Sequence, residues 1–293
     1  MNNKMNIQLK KFDPGKIDPC RVCVFIGKRG TGKSCLVTDI LYHKRHVPMG
    51  VVMSGTEESN EHYKSFVPDT FIYGEYQPEV IQKIIDRQKQ VIKKSSGDKN
   101  NNQNNNNSIT QNNNHSINNN VFILLDDCMY DNKWTRDVNI RGIFMNGRHW
   151  KILFMITMQY CMDLPPCLRA NIDYIFILRE NIIQNREKIY KNFFGIFPSF
   201  DSFNDVLNQC TENYECLVLD NTVKSNKIED VVFWYKAKPG RNFRIGSKDL
   251  WEHHKRHYNP HHDTPLTEPI KKKKGAIPFN VVKTNESGKK KKK

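Results

Sequence analysis

Eight consecutive residues, Gly27, Lys28, Arg29, Gly30, Thr31, Gly32, Lys33 and Ser34, fit the spacing G-x-x-x-x-G-K-[ST] of a phosphate-binding loop. That chemistry needs these residue types. Glycines let the chain wrap tightly enough for successive backbone N–H groups to point at phosphate oxygens. Lys33 would reach the β- and γ-phosphates, and the Ser34 hydroxyl would ligate Mg²⁺. A helix opening at Ser34 and Cys35 adds the positive end of its dipole. A glycine-rich turn with a surface lysine is the plain alternative, but it would not need the apolar run 22–26 before it and a helical run after it. The run implies a site for a nucleoside triphosphate with Mg²⁺.

A second constellation ends the apolar run Val121, Phe122, Ile123, Leu124, Leu125 with two carboxylates, Asp126 and Asp127. Beside a phosphate loop, Asp126 would hold Mg²⁺, directly or through water. Asp127 would orient and polarise the attacking water. Two acids capping a turn would give the same letters without the chemistry. Many ATP-hydrolysing proteins carry Glu at the second position, so the shorter Asp127 would need an intervening water or a closer strand. A third apolar run, 152–158, ends in Gln159, an amide placed to sense phosphate or position water if its strand lies between the other two.

These residues need a scaffold that brings strand ends together. Runs 22–26, 50–53, 121–125, 152–157 and 174–178 read as strands that are apolar on both faces. Separated by helical or loop segments, they predict an α/β fold with a mostly parallel central sheet covered by helices on both faces. Helices are expected at 34–44, 78–94, 135–148 and 184–194, and a further strand pair at 215–220 and 230–235. Between residues 95 and 120 half the positions are asparagine, too little apolar area to offset ordering entropy, so this reads as a disordered insert. The expected organisation is an N-terminal extension over 1–17, an ATPase domain over 18–249 and a basic His/Lys-rich tail over 250–293.

The net charge of +15 is uneven: residues 250–293 hold 12 Lys/Arg against 4 Asp/Glu, including lysine runs at 271–274 and 289–293. A basic body with a more basic tail points to a polyanionic partner, although a solvated lysine tail needs none. The N-terminus has no apolar signal region, and no apolar run approaches the ~20 residues of a membrane-spanning helix. Cys20 and Cys23 form one C-x-x-C with no second pair at zinc-ribbon spacing, which favours reduced structural thiols. Histidines 253, 254, 257, 261 and 262 match no recognised metal-site spacing.

The ordered set of loop, Leu125-Asp126-Asp127, Gly147-Arg148-His149, strand-end Gln159, Leu168-Arg169-Ala170-Asn171 and the run 174–178 resembles the FtsK–HerA superfamily of P-loop NTPases. Within it the chain is most similar to genome-packaging ATPases of poxvirus- and mimivirus-like cytoplasmic DNA viruses, over roughly residues 18–240. The resemblance implies a RecA/ASCE-like fold and a homo-oligomeric ring that hydrolyses ATP to drive double-stranded DNA into a preformed capsid. It implies contacts to DNA that are non-specific, capsid or membrane-associated portal proteins as further partners, and a place at virus assembly sites in the host cytoplasm. It also implies an arginine donated by a neighbouring subunit to the γ-phosphate, with Arg148 the first candidate and Arg169 and Arg179 as alternatives. Two other readings of the loop are a small-molecule NTP-dependent kinase and a non-motor, NTP-bound DNA-binding switch.

Overall fold

Strands that are apolar on both faces are satisfied only inside a sheet with both sides covered, and that is where these lie. The computed structural model describes residues 7–101, 118–128, 133–160 and 164–259. Its strands are β1 (Lys10–Lys11), β2 (Val22–Ile26), β3 (Met49–Ser54), β4 (Ile72–Tyr73), β5 (Val121–Asp126), β6 (Ile152–Met158), β7 (Tyr174–Ile177), β8 (Glu215–Asp220) and β9 (Val232–Lys236). The helices are α1 (Lys33–His43), α2 (Glu57–Asn60), α3 (Pro78–Asn101), α4 (Lys133–Arg136), α5 (Val138–Asn146), α6 (Pro166–Arg169), α7 (Ile183–Phe193), α8 (Phe200–Cys210), α9 (Ile228–Val231) and α10 (Lys248–His257). Nine strands form one sheet in the order β1-β9-β8-β7-β2-β6-β5-β3-β4. Only β8 runs against the rest, pairing antiparallel with β7 and β9.

The expected fold class holds. Along β2, Val22, Val24 and Ile26 face a cluster that includes residues of α3, α5, α7 and α8, while Cys23 and Phe25 face α1 on the other side. Side chains that alternate across a strand thus meet a helical layer on each face. At one position the packing leaves no room for any side chain: a Cβ on Gly50 of β3 would lie 2.1 Å from the Phe122 ring. The reversal of β8 has a topological cause. A single crossover helix after β7 would deliver the chain to the far edge for another parallel strand. Here two helices, α7 and α8, carry it away and back, so β8 starts at the edge where β2 ends.

Several expectations need correction. The helix expected at 135–148 is broken at Asp137, whose carboxylate accepts a hydrogen bond from the Asn139 N–H at 2.7 Å and caps α5. Aspartate competes for its own backbone in this way, which favours a cap over a helix interior. The strand expected at 230–235 begins two residues later because 228–231 form one helical turn. Of the expected N-terminal extension over 1–17, the described residues 7–17 are tied to the sheet. β1 pairs with β9, and Phe12 is buried edge-on against Tyr174, Phe176, Phe233 and Tyr235. Residues 250–257, expected within the tail, belong to α10, where His254 meets Thr70 at 2.7 Å and Trp251 donates to the Ile245 carbonyl at 3.0 Å. The compact unit extends to Tyr258. Residues 102–117 of the expected insert, His261, His262 and both lysine runs of the tail lie outside the described residues. No described helix is long and apolar enough to cross a membrane. Cys23 is buried and unbridged within β2, and Cys20 is half-buried and also free.

Candidate nucleotide site

The loop between β2 and α1 starts where a side chain would not fit. A Cβ on Gly27 would lie 2.8 Å from Thr31 Oγ1 and 2.9 Å from Leu178 Cβ. Gly30 and Gly32 have φ of 78° and 98°, a region that costs glycine nothing and other residues dearly. The Lys33 ammonium lies inside the loop it closes, donating to the carbonyls of Gly27 at 2.5 Å and Lys28 at 3.1 Å. Burial pushes its pKa down, and the charges of Asp127 and Asp126 oppose that shift. Outside the loop, Lys28 pairs with the nearly buried Glu180 at 2.7 Å, just past β7.

β6 lies between β2 and β5, so the three strand ends with polar residues are adjacent. Asp126 closes β5 and is 5% exposed. One of its oxygens accepts from Thr157 Oγ1 at 2.7 Å and the other from Tyr63 Oη at 2.8 Å. The Thr157 hydroxyl also accepts the Asp127 N–H at 3.0 Å, so one buried side chain fixes both acids. Asp127 has φ of 52°, a left-handed conformation that non-glycine residues adopt infrequently. Its carboxylate accepts from Gln159 Nε2 at 3.0 and 3.3 Å. Tyr63 is positioned from a distance: Glu57, buried itself, accepts the backbone N–H groups of Tyr63 and Lys64.

Lys28, Arg29, Lys33, Ser34, Cys35, Asp126, Asp127 and Gln159 line one open cleft of about 700 Å³, closed on the α2 side by Thr56, Ser59 and Asn60 and on the β8 side by Tyr214. Lys28, Arg29 and Lys33 line it together with two carboxylates, and the N-terminus of α1 lies at the same wall. This is a cradle for a polyanion carrying a hard cation. The donor set suits Mg²⁺: Ser34 offers an exposed hydroxyl, and Asp126 is a carboxylate whose oxygens each have a single hydrogen-bond donor, leaving lone pairs toward the cleft. Mg²⁺ is ordinarily held by one or two carboxylates together with phosphate oxygens and water, so Ser34 and Asp126 would supply only part of its shell.

The sequence-derived candidates thus separate. Lys33, Ser34, Asp126, Asp127 and Gln159 meet at one cleft. Arg148 does not: it is exposed in the turn before β6, near enough to Cys20 to act on its thiol. Arg169 ends α6 and is half-buried. Arg179 is exposed just past β7 and lines a second cleft of about 300 Å³ beside the loop, with Gly30, Thr31, Thr211, Asn213 and Tyr214. Sequence reasoning missed Thr157, Tyr63, Glu180 and Tyr214. Only Thr157 leaves a signal, as a hydroxyl inside an otherwise apolar strand.

No family model matches the chain. Over 261 residues it is 39% identical to the uncharacterized protein L437 of Acanthamoeba polyphaga mimivirus, covering 88% of this chain and 87% of that one. Over 272 residues it is 35% identical to the uncharacterized protein 075L of Invertebrate iridescent virus 6, covering 88% and 98%. Among solved structures it is similar to the genome packaging NTPase B204 of Sulfolobus turreted icosahedral virus 2. The complex of B204 with AMP gives a TM-score of 0.52 at 16% identity, covering 77% of this chain and 100% of that one. The complex with AMPPCP gives 0.50 at 16% identity, covering 76% and 100%. At that identity the likeness is one of fold.

Proposed function

The chain belongs to the family of large-DNA-virus proteins that includes mimivirus L437 and iridescent virus 075L, with the fold of a viral genome-packaging NTPase, and we propose that it is an ATPase that moves double-stranded DNA into a capsid. The observation that supports this most is the joining of Lys33, Ser34, Asp126, Asp127 and Gln159 at one cleft by the order β2-β6-β5. B204, which shares the fold, was solved with a triphosphate analogue.

In this reading the backbone from Gly27 to Cys35 wraps the triphosphate, and Lys33 exchanges its loop carbonyls for phosphate oxygens. Ser34 and Asp126 would hold Mg²⁺, which neutralises phosphate charge when bound. Thr157 and Tyr63 keep the Asp126 carboxylate in one orientation, so it need not reorganise as charge develops. Asp127 is short for a water-activating acid. The Gln159 amide tied to it extends the polar wall toward the γ-phosphate, its carbonyl oxygen left to accept a hydrogen bond from the attacking water while the Asp127 carboxylate takes up the proton that water loses. The arginine comes from a neighbour. A ring is built on a heterologous interface, which joins two different patches of the subunit. A residue acting in trans must then stand away from its own cleft; Arg148 meets that condition and Arg179, beside its own loop, does not.

The test is initial-rate hydrolysis of ATP with Mg²⁺ by the full chain. Lys33→Ala and Asp127→Asn should each lose at least about 100-fold, the lower range for removing a group that stabilises transition-state charge and for removing a catalytic base. Unchanged hydrolysis in either variant would overturn the assignment of this cleft.

A further inference from the structure

The wall of the cleft on the β8 side is made by an aromatic residue that the fold does not use for packing. Tyr214 directly precedes β8 and is 71% exposed. It and its neighbour Asn213 have φ of 63° and 50°. Asparagine visits the left-handed region fairly often, but a bulky side chain there is an outlier, held by its surroundings and most often found at ligand sites. The reversal of β8 brings this turn to the phosphate loop. A Cβ placed on Gly32 would lie 3.3 Å from Tyr214 Cδ1, so the ring stands against the loop. It borders both the triphosphate cleft and the 300 Å³ cleft lined by Arg179, Thr211 and Asn213.

A nucleotide whose phosphates lie along Gly27–Ser34 must carry its base past one side of the loop. On the β5 side the cleft ends at a wall of Asp126, Asp127, Gly55, Thr56, Ser59 and Asn60. On the β8 side there is an open cleft and a flat, exposed ring. We propose that Tyr214 is the platform on which the nucleobase stacks, with the cleft of Arg179, Thr211 and Asn213 receiving the base. The inference rests on the reading of the larger cleft as the triphosphate site and adds where the base lies. Stacking uses a π-face that every base has, so it sets affinity with little discrimination between bases. ATP and GTP should therefore bind within a few-fold of each other, a difference set by stacking strength alone.

The test is calorimetric binding of ATP and of inorganic tripolyphosphate, which has no base, to the full chain and to Tyr214→Ala and Tyr214→Phe. Tyr214→Ala should weaken ATP by about 5- to 150-fold, the range for losing one base–aromatic stack, and leave tripolyphosphate unchanged. Tyr214→Phe, which keeps the ring, should bind ATP as the unaltered chain does. Unchanged ATP affinity in Tyr214→Ala, or equal weakening of ATP and tripolyphosphate, overturns the stacking role while leaving the triphosphate site standing. Failure of the unaltered chain to bind either ligand overturns both.

Discussion

Tyr63 and Thr157 each hold one oxygen of Asp126, and neither faces a nucleotide as a ligand would. Burying a carboxylate costs folding free energy unless its oxygens accept hydrogen bonds, so the two hydroxyls are structural requirements before they are functional ones. Tyr63→Phe removes one donor and leaves a buried acceptor oxygen unpaired. It should cost about 1.5–3 kcal/mol of unfolding free energy, the range for a hydrogen bond to a charged group, read from urea midpoints. An unchanged midpoint would show that the Asp126 oxygen finds another partner. Asp126, Asp127 and Gln159 were legible in the sequence because each ends an apolar strand, a pattern carried by neighbouring letters. Tyr63 was not, since its contact with Asp126 spans 63 positions and exists only once β3 and β5 are paired.

The elements around the loop are tied by charge as well as by packing. Lys28 leaves the loop to pair with Glu180, which also accepts the Ile182 N–H and the Asn185 amide, joining the loop to the start of α7. Burial alone would raise the Glu180 pKa, but Lys28 and the two N–H donors outweigh it and hold the carboxyl below its ordinary value of 4.5. A carboxyl with a lowered folded pKa binds fewer protons folded than unfolded. Its contribution to stability is therefore complete above the unfolded value of 4.5 and is lost as pH falls through the lowered folded value. Glu180→Gln should lower the urea midpoint at neutral pH, and the gap from the unaltered chain should close as pH falls below 4.5. A gap constant across that range would mean that the carboxylate's charge contributes nothing. The principal parallel strands were legible because doubly buried strands read as continuous apolar runs. β1 and β4, two residues each, are too short to leave a pattern, and α8 signals only through Phe203 and Leu207 on one face. The break at Asp137 follows from capping chemistry that a helical apolar pattern hides.

For the whole molecule, the phosphate loop follows the end of β2 and Arg148 precedes the start of the parallel β6, so the two lie on different patches, as the proposed heterologous interface needs. Lys33→Ala and Arg148→Ala subunits should each be inactive alone, yet mixtures should regain hydrolysis, because some sites then join an intact loop to an intact arginine. No recovery at any ratio would remove Arg148 from the site. The boundaries at 18 and 249 were misread for one reason: a two-residue strand and a charged helix such as α10 look like solvated segments until their partners, β9 and the 69–71 turn, are in place. The net charge of +15 was legible, but charge alone says only that a polyanion is welcome. The most direct measurement is therefore steady-state ATP hydrolysis with and without double-stranded DNA, across a salt series. A DNA motor should hydrolyse ATP severalfold faster with DNA at low salt and lose that gain as salt rises, since contacts to backbone phosphates weaken as counterions compete. A rate that is the same with and without DNA at low salt would contradict the proposed coupling of ATP hydrolysis to DNA movement.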